Sequence, residues 1–580
     1  MVPSAKDDLA ARFFDEAETE LLAVAVESQR ADWVYSTFIT PDTEELSSAA
    51  HARLIAATVR RARGASSLPR EALQGANARK AKLLPVSLQL LAPADPAQAL
   101  ELTRRVASMQ GNYARGRHAP RGKGEPLDLQ ALSRILAESR DPALLEDVWA
   151  GWHRVGRVVR PDFERYVTLA NVGARELGFE DTGAMWRSKY DMAPEAFARE
   201  VDRLWVQVRP LYQALHTYVA RRLATVYGSN QVGPDRPIPA HLLGNMWAQS
   251  WEGILPIVAP PSGAPSIDLT KVLVDRGTTP EEMVRHAERF FTSLGLDPLP
   301  PSFWERSMLV RPRDREVVCH ASAWDVDLVH DLRIKMCIEI TGEDFRVIHH
   351  ELGHNYYQRA YGHLPYLFRE SAHDGFHEAI GDTIALSVTP GYLERIGLVR
   401  HAPVAADDDV GLLLERALEK VAFLPFGLLI DKWRWDVFSG RVPPAEYNSS
   451  WWALREQYQG VIPPGSRGSE EFDPGAKFHV SANVPYIRYF LAHILQFQFH
   501  RALLRAAGYD GPLHLGSIYG SKEAGKRLHQ TLAMGASREW PDALEALSGE
   551  RSMDASGLLE YFAPLHRWLD AQNRSGSGGA

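Results

Sequence analysis

Apolar residues three or four apart run almost from one end of the chain to the other, the spacing of one face of an α-helix. The pattern predicts helices over Ala5–Gln29, Asp42–Arg63, Pro96–Arg115, Asp128–Ser139, Pro142–Val155, Pro161–Leu177 and Pro194–Tyr227. It continues over Thr279–Leu294, Asp344–Tyr361, Ala372–Thr389, Val410–Val437, Pro444–Gln457, Asn483–Ala507 and Ser521–Ala533. Many of these open on Pro or Asp, residues suited to a first helical turn. Strand-like alternation is confined to Arg315–Cys319 and Met336–Ile340, which are expected to pair as a small hairpin beside a cleft. Pro and Gly clusters at Gly228–Pro239, Ile257–Pro265, Pro298–Pro301 and Pro463–Gly468 separate the helical blocks. The fold class read from the pattern is mainly α, without internal repeats.

Composition narrows the function classes. With 580 residues, 45% of them hydrophobic, the chain can bury a large core. A formal charge of −8 and a pI near 6.3 argue against a nucleic-acid surface, and no dense Lys/Arg run suggests one. No apolar stretch approaches the roughly 18 residues that would span a bilayer. The N-terminus enters its first amphipathic helix without the basic, apolar and small-residue segments of a leader, so the expectation is a cytoplasmic protein or an exported one whose leader has been removed. The two cysteines, Cys319 and Cys337, could close one loop worth about 3 kcal/mol in an oxidising compartment, or be two unrelated buried thiols.

Chemistry concentrates on one helix. His350-Glu351-Leu352-Gly353-His354 is an HExxH run, and its i, i+4 histidines leave one helix face together, so that both imidazoles can converge on a zinc ion. Glu351, beside the first, is placed to take a proton from a metal-polarised water. Tyr357 and Ala360 stand where a metzincin would need glycine and histidine, so the third ligand must be a carboxylate. Of Glu370 and Glu378, the second is favoured because Asp382 lies one turn beyond it and can orient a ligating ring, His350 above all. His349, His363, His373 and His377 read as packing or surface residues. Farther on, Lys477, His479, Tyr486, Arg488 and Tyr489 crowd one segment with donors that a tetrahedral anion would need.

The strings CHASAWD at Cys319–Asp325, HHELGH at His349–His354, GFHEAIGD at Gly375–Asp382, FDPGAKFH at Phe472–His479 and VPYIRYF at Val484–Phe490 resemble the peptidyl-dipeptidase A family, the angiotensin-converting enzyme group. HLLGNMWAQSW at His241–Trp251 and WRWDVFSG at Trp433–Gly440 share the likeness, which runs from about Trp186 to about Pro564 and is weaker upstream. The resemblance implies a two-lobed helical ellipsoid with a deep central cleft. In outline this is a single catalytic domain over residues 1–570, with lid helices in 1–100, two lobes in 101–570 and a flexible tail at 571–580.

It also implies a zinc dipeptidyl carboxypeptidase acting on oligopeptides with a free C-terminus. His350, His354 and Glu378 match the zinc ligands and Glu351 the base. His479 and Tyr489 match the pair that stabilises the tetrahedral intermediate. His320, Ala321 and Ala323 match contacts to the substrate backbone, and Gln249, Lys477 and Tyr486 those to its terminal carboxylate. An arginine in place of Gln249 marks the family's single-residue carboxypeptidases. Chloride is implied at two sites, one matched by Arg488 and Tyr218, the other by Arg187, Trp451 and Arg455, on the argument that a buried arginine without a carboxylate needs an anion. Cys319 and Cys337 match a family disulfide, which points to a periplasmic or secreted protein. His493 stands where relatives carry a phenylalanine in the primed subsites. A carboxypeptidase or short oligopeptidase of the same fold, and a non-catalytic peptide-binding module, are the competing readings; monomer and dimer are both compatible with the sequence.

Overall fold

The computed structural model describes residues 5–122, 124–260, 267–400 and 409–575. Helices dominate, and strand is limited, among the described residues, to two two-stranded ladders: Ile238–Pro239 parallel with Val461–Ile462, and Ser322–Asp325 antiparallel with Leu332–Lys335. The long helices Pro194–Tyr227, Gly342–Tyr361, Asp374–Leu386, Asp409–Phe438 and Ile487–Ala506 bury apolar faces in one large core. A second core, rich in aromatic rings, gathers Phe163, Tyr166, Trp433, Trp451 and Phe472. Burying such rings is worth roughly 2–3 kcal/mol each before entropy is counted.

The N-terminal helices Ala5–Thr37, Pro41–Ser66 and Gly75–Val86 form a layer with its own small core of Phe14, Leu21, Ala57 and Leu84. Thr40 caps the second helix, its side chain accepting from the Thr43 amide at 3.1 Å. The layer is tied down near the ladder strand: the Val318 amide donates to Ser36 O at 2.8 Å, and the Trp33 ring meets Trp324 edge-on at 5.5 Å. Glu18 anchors the other end, accepting from the Leu367 amide at 3.0 Å and from Lys80 at 2.5 Å.

The predicted hairpin forms, but elsewhere. Its strands are Ser322–Asp325 and Leu332–Lys335, inside the segment bounded by the two pieces that alternate in sequence. Arg315–Cys319 gives backbone bonds to the N-terminal layer, and Met336 and Ile338 give theirs to Met308 and Leu309, so neither piece is free to pair with the other. Cys319 and Cys337 are disulfide-bonded across the open end of the hairpin. Other corrections concern boundaries: the helix expected from Pro161 runs Val155–Glu176 with the proline inside it, and Gly75–Val86, Trp540–Ser548 and Ala563–Ser575 are helices the periodicity missed. The last of these reaches into the expected tail, docked by Asn573, whose amide donates to Ala214 O at 2.9 Å. Residues 576–580 of that tail lie outside the described residues.

Candidate active site

Two helices build the metal cluster because two glycines let them touch. A Cβ on Gly353 would lie 2.9 Å from Gly381 Cα, and one on Gly381 would lie 2.8 Å from His350 Nδ1. Any side chain at either position would push Gly342–Tyr361 away from Asp374–Leu386. At this contact His350, His354 and Glu378 bring one ligand atom each within 4.8 Å of the others. Glu378 Oε2 is 3.7 Å from His350 Nε2, and the two Nε2 atoms face each other at 3.0 Å. Glu370, the rejected alternative, is spent on the Ser371 amide at 3.0 Å.

The far side of each ring determines what the near side can do. His350 Nδ1 donates to Asp382 at 3.1 Å, leaving its Nε2 lone pair for a metal. Asp382 is itself held by Gln496 Nε2 at 3.0 Å and by Lys420 at 3.4 Å. His354 Nδ1 lies 3.0 Å from His377 Nδ1, and His377 Nε2 lies 3.1 Å from the Tyr361 hydroxyl. If His377 gives its Nε2 proton to Tyr361 and accepts at Nδ1, His354 also keeps a lone pair on Nε2. Two such lone pairs at 3.0 Å repel unless a cation stands between them, so this donor set fits zinc. His377, set aside in the sequence, therefore orients a ligand. The other three histidines are structural: His349 bonds Phe345 O and Tyr392, His363 bonds Ala360 O, and His373 caps the Glu378 helix by accepting from the Gly375 amide.

Around this cluster lie the donors. Glu351 is buried, and Lys335 beside it donates to the carbonyls of Val318 and His320 at 2.7 Å each. Burial lowers the Lys335 ammonium to about 8 against the pull of Glu351. Among the described residues the strand Ser322–Asp325 has a ladder partner on one side only, and Ala321 and Ala323 lie on or beside it. His320, next to it, is exposed and holds Ala321 O through Nδ1 at 2.9 Å. His479 faces Tyr489 and Tyr486 with ring centroids 5.5 and 4.6 Å away. Burial first, and the nearby cations Lys477, Arg434 and Arg488 next, lower His479 to about 2, so its ring is neutral across the physiological range. Burial and the Glu378 charge raise the Tyr489 hydroxyl to about 12. His493 stacks on Phe423 at 4.4 Å and bonds Tyr489 O at 2.9 Å.

Lys477 sits in a cage. Its ammonium donates to Gln249 Oε1 at 2.6 Å, lies 4.1 Å over the Trp247 ring and 5.4 Å over Tyr486, and has no carboxylate partner among the described residues. The Tyr486 hydroxyl donates to the same Gln249 oxygen at 3.3 Å. Burial alone pulls Lys477 down to about 7. The turn presenting Gln249 is strained, with Ala248 at φ +51°. It is braced from behind by the π-helical segment Arg455–Gln459: Gln459 Nε2 donates to Ala248 O at 3.2 Å and Arg455 Nη2 to Trp247 O at 2.9 Å.

The two expected anion groups are only partly assembled. Arg455 and Trp451 do meet, the guanidinium 5.8 Å from the ring, and Arg455 is buried with Nε unpartnered and no ion pair among the described residues. Burial pushes it down to about 9. Arg187 does not join them; it donates to Gly183 O at 3.2 Å and lies over Trp435 and 3.7 Å from Glu195. A side chain that does reach the Arg455 field is His153, buried and stacked on Trp149 at 3.8 Å. Tyr218 does not join Arg488 either: its hydroxyl donates to Val258 O at 2.7 Å and its ring packs on Trp568. The tyrosine in the Arg488 field is Tyr190, a buried hydroxyl without a hydrogen-bond partner. Arg488 itself has a carboxylate, Asp374 Oδ2, 3.0 Å from Nη2, an ion pair outside hydrogen-bond geometry that leaves Nε and Nη2 buried without a hydrogen-bond partner.

Asp374, Lys335, His377 and Tyr190 were not singled out in the sequence. For Asp374 a signal existed: Asp374, Glu378 and Asp382 are spaced four apart, one acidic stripe along a helix face.

Known proteins resemble this chain along most of its length. The family model described as angiotensin-converting enzyme matches residues 4–578. The chain is similar to the angiotensin-converting enzyme of Bos taurus, 43% identical over 571 residues, which cover 98% of this chain and 43% of the bovine protein. It is 50% identical over 446 residues to that of Mus musculus, covering 76% of this chain and 34% of the mouse protein. The angiotensin-converting enzyme of the leech Theromyzon tessulatum is 46% identical over 451 residues, covering 77% of this chain and 73% of its own length. The chain thus spans under half the length of the mammalian relatives. With a model match over almost every residue and a metal cluster that the family's motifs supply, the chain belongs to the angiotensin-converting enzyme family.

Proposed function

We propose that the protein is a zinc peptidyl-dipeptidase that releases dipeptides from the free C-terminus of oligopeptides. The observation that carries this reading is the caged Lys477, a buried ammonium without a carboxylate among the described residues, linked through the Tyr486 and His479 rings to Tyr489, whose hydroxyl feels the Glu378 charge. A buried cation left uncompensated is costly, and a peptide's terminal carboxylate is the anion that would relieve it.

His350, His354 and Glu378 would hold zinc, which when bound supplies a Lewis acid for the scissile carbonyl and a lowered pKa for water. Glu351 takes the proton from the attacking water and passes it to the leaving amine. Tyr489 donates its hydroxyl proton as a hydrogen bond to the developing oxyanion, and a hydroxyl raised to about 12 keeps that proton at neutral pH. The neutral His479 ring adds an N–H donor. The free edge beside Ala321 and Ala323 takes the extended peptide backbone, and Gln249, Lys477 and Tyr486 fix its end, so the cleavage point is measured from the terminus. His493 lines the primed subsites.

The buried Arg455, without a carboxylate, is the group that would bind chloride, and through Trp247 O it reaches the turn that carries Gln249. The N-terminal helices Ala5–Thr37, Pro41–Ser66 and Gly75–Val86 would act as a lid that admits oligopeptides and excludes folded proteins. No described helix is long and apolar enough to cross a membrane, and the Cys319–Cys337 bridge favours an oxidising compartment, periplasmic or extracellular.

The test is mass spectrometry of products from an unblocked decapeptide and from its C-terminal amide, with wild type and Glu351→Gln, whose metal content is measured in parallel. Successive losses of two residues from the free acid alone, abolished in Glu351→Gln with zinc still bound, establish the reading. Single-residue losses, or equal cleavage of the amide, overturn it.

A further inference from the structure

Among the described residues, Arg488 and Arg455 are both enclosed guanidiniums near the candidate active site, but only Arg488 has a carboxylate within the protein. Asp374 Oδ2 lies 3.0 Å from Arg488 Nη2, and Asp374 Oδ1 lies 2.5 Å from Lys189 Nζ. Asp374 is 9% exposed, so the carboxylate is not a solvated surface group. It opens the helix that carries Glu378 one turn later, and Arg488 directly precedes Tyr489. The ion pair therefore ties the start of the helix that bears a metal ligand to the start of the helix that bears the oxyanion donor. The approach of the two helices is close: a Cβ on Gly375 would sit 3.3 Å from Arg488 O and 3.1 Å from Leu491 Cβ.

We propose that Asp374 is a positioning residue for Tyr489, and that its tethered carboxylate does at Arg488 what a free halide would otherwise have to do. Resting on the peptidase reading, this assigns the protein's response to chloride to the Arg455 pocket and leaves Arg488 neutralised at all salt compositions. A tethered counter-ion has no concentration, so Tyr489 stays aligned in chloride-free medium. Lys189 supplies the second contact that keeps the carboxylate in place.

Activity of wild type and Asp374→Asn is compared from gluconate buffer to saturating chloride at constant ionic strength. The ratio of variant to wild-type kcat/KM cancels any contribution of the Arg455 pocket. Expected is a ratio of about 0.1 or less in gluconate, carried mainly by kcat, that climbs toward one as chloride fills the gap beside Arg488. A purely structural role for Asp374 would give a ratio that does not respond to chloride, and that result overturns the proposal. Because the variant could fail to fold, wild-type crystals are also grown in bromide. Anomalous signal in the Arg455 pocket and none beside Arg488 supports the assignment; bromide against Arg488 in the wild type sinks it. A wild type that releases no dipeptides in any buffer would overturn the functional reading instead, and the bromide map would still decide the counter-ion.

Discussion

Lys477 and Arg488 both press their charge on His479 and are compensated in opposite ways. Lys477 has rings on two sides, an amide oxygen at 2.6 Å and no acid, and burial pulls it down to about 7. Arg488 has Asp374 at 3.0 Å, and the Asp374 charge holds it above the ordinary guanidinium value despite burial. A buried cation that lacks a counter-charge is a site built for something that arrives from outside; one that has its counter-charge is part of the frame. Arg455 belongs with Lys477 in this respect, although its setting is the braced turn rather than the reaction space.

The contrast can be broken at its open end first. Lys477→Met should lower kcat/KM for free-acid peptides by about 10²–10³-fold, the scale of a desolvated charge pair lost from a complex, while amidated peptides change little. Equal losses on both substrates would mean that Lys477 does not read the carboxylate. The metal cluster tests whether the frame is as rigid as the geometry implies. His377→Phe leaves His354 Nδ1 without its partner and should weaken zinc affinity by about 10–100-fold in a chelator competition, with far-UV circular dichroism unchanged.

Arg455→Met sharpens the distinction between the two arginines. Its removal should flatten the chloride response of the wild type and raise KM about tenfold, because Trp247 and the Gln249 turn lose their brace. The gentlest probe, which needs no substitution, is a pH dependence. Peptide carboxylates bind the protonated ammonium, and Lys477 is pulled down to about 7 in the free protein. KM for free-acid peptides should therefore be flat below pH 7 and rise by up to tenfold per unit above it, until the pKa of the bound state is reached. Amidated peptides should show no such rise, and a KM constant from pH 6 to 9 would place the Lys477 charge elsewhere.

The metal site was legible because it is local. An i, i+4 histidine pair is fixed by helix geometry alone, and Asp382 one turn after Glu378 follows from the same periodicity, although bringing Glu378 to the histidines took the close packing of two helices. Lys477, Gln249 and Tyr486 came from resemblance to the family, and the structure brings them onto a single amide oxygen. The two anion groups were less legible. Tyr218 and Arg187 carry the right side chains, yet the Tyr218 hydroxyl bonds Val258 O and Arg187 bonds Gly183 O, while the Arg488 and Arg455 charges are felt at Tyr190 and His153. The hairpin was displaced for a similar reason: alternation in Arg315–Cys319 and Met336–Ile340 is real, but their backbone bonds go to the N-terminal layer and to Met308 and Leu309.

By itself the sequence determined the helical class, the zinc-binding pair with its base, and the Glu378–Asp382 pair one turn apart, because each depends on spacing within one helix. Which acid meets which cation was decided by tertiary structure. Asp374 and Arg488 are far apart in the chain, and only the close packing of two helices across Gly375 makes one the counter-ion of the other. Charge compensation in a low-dielectric interior depends on distance in space, and spacing along the chain does not encode it.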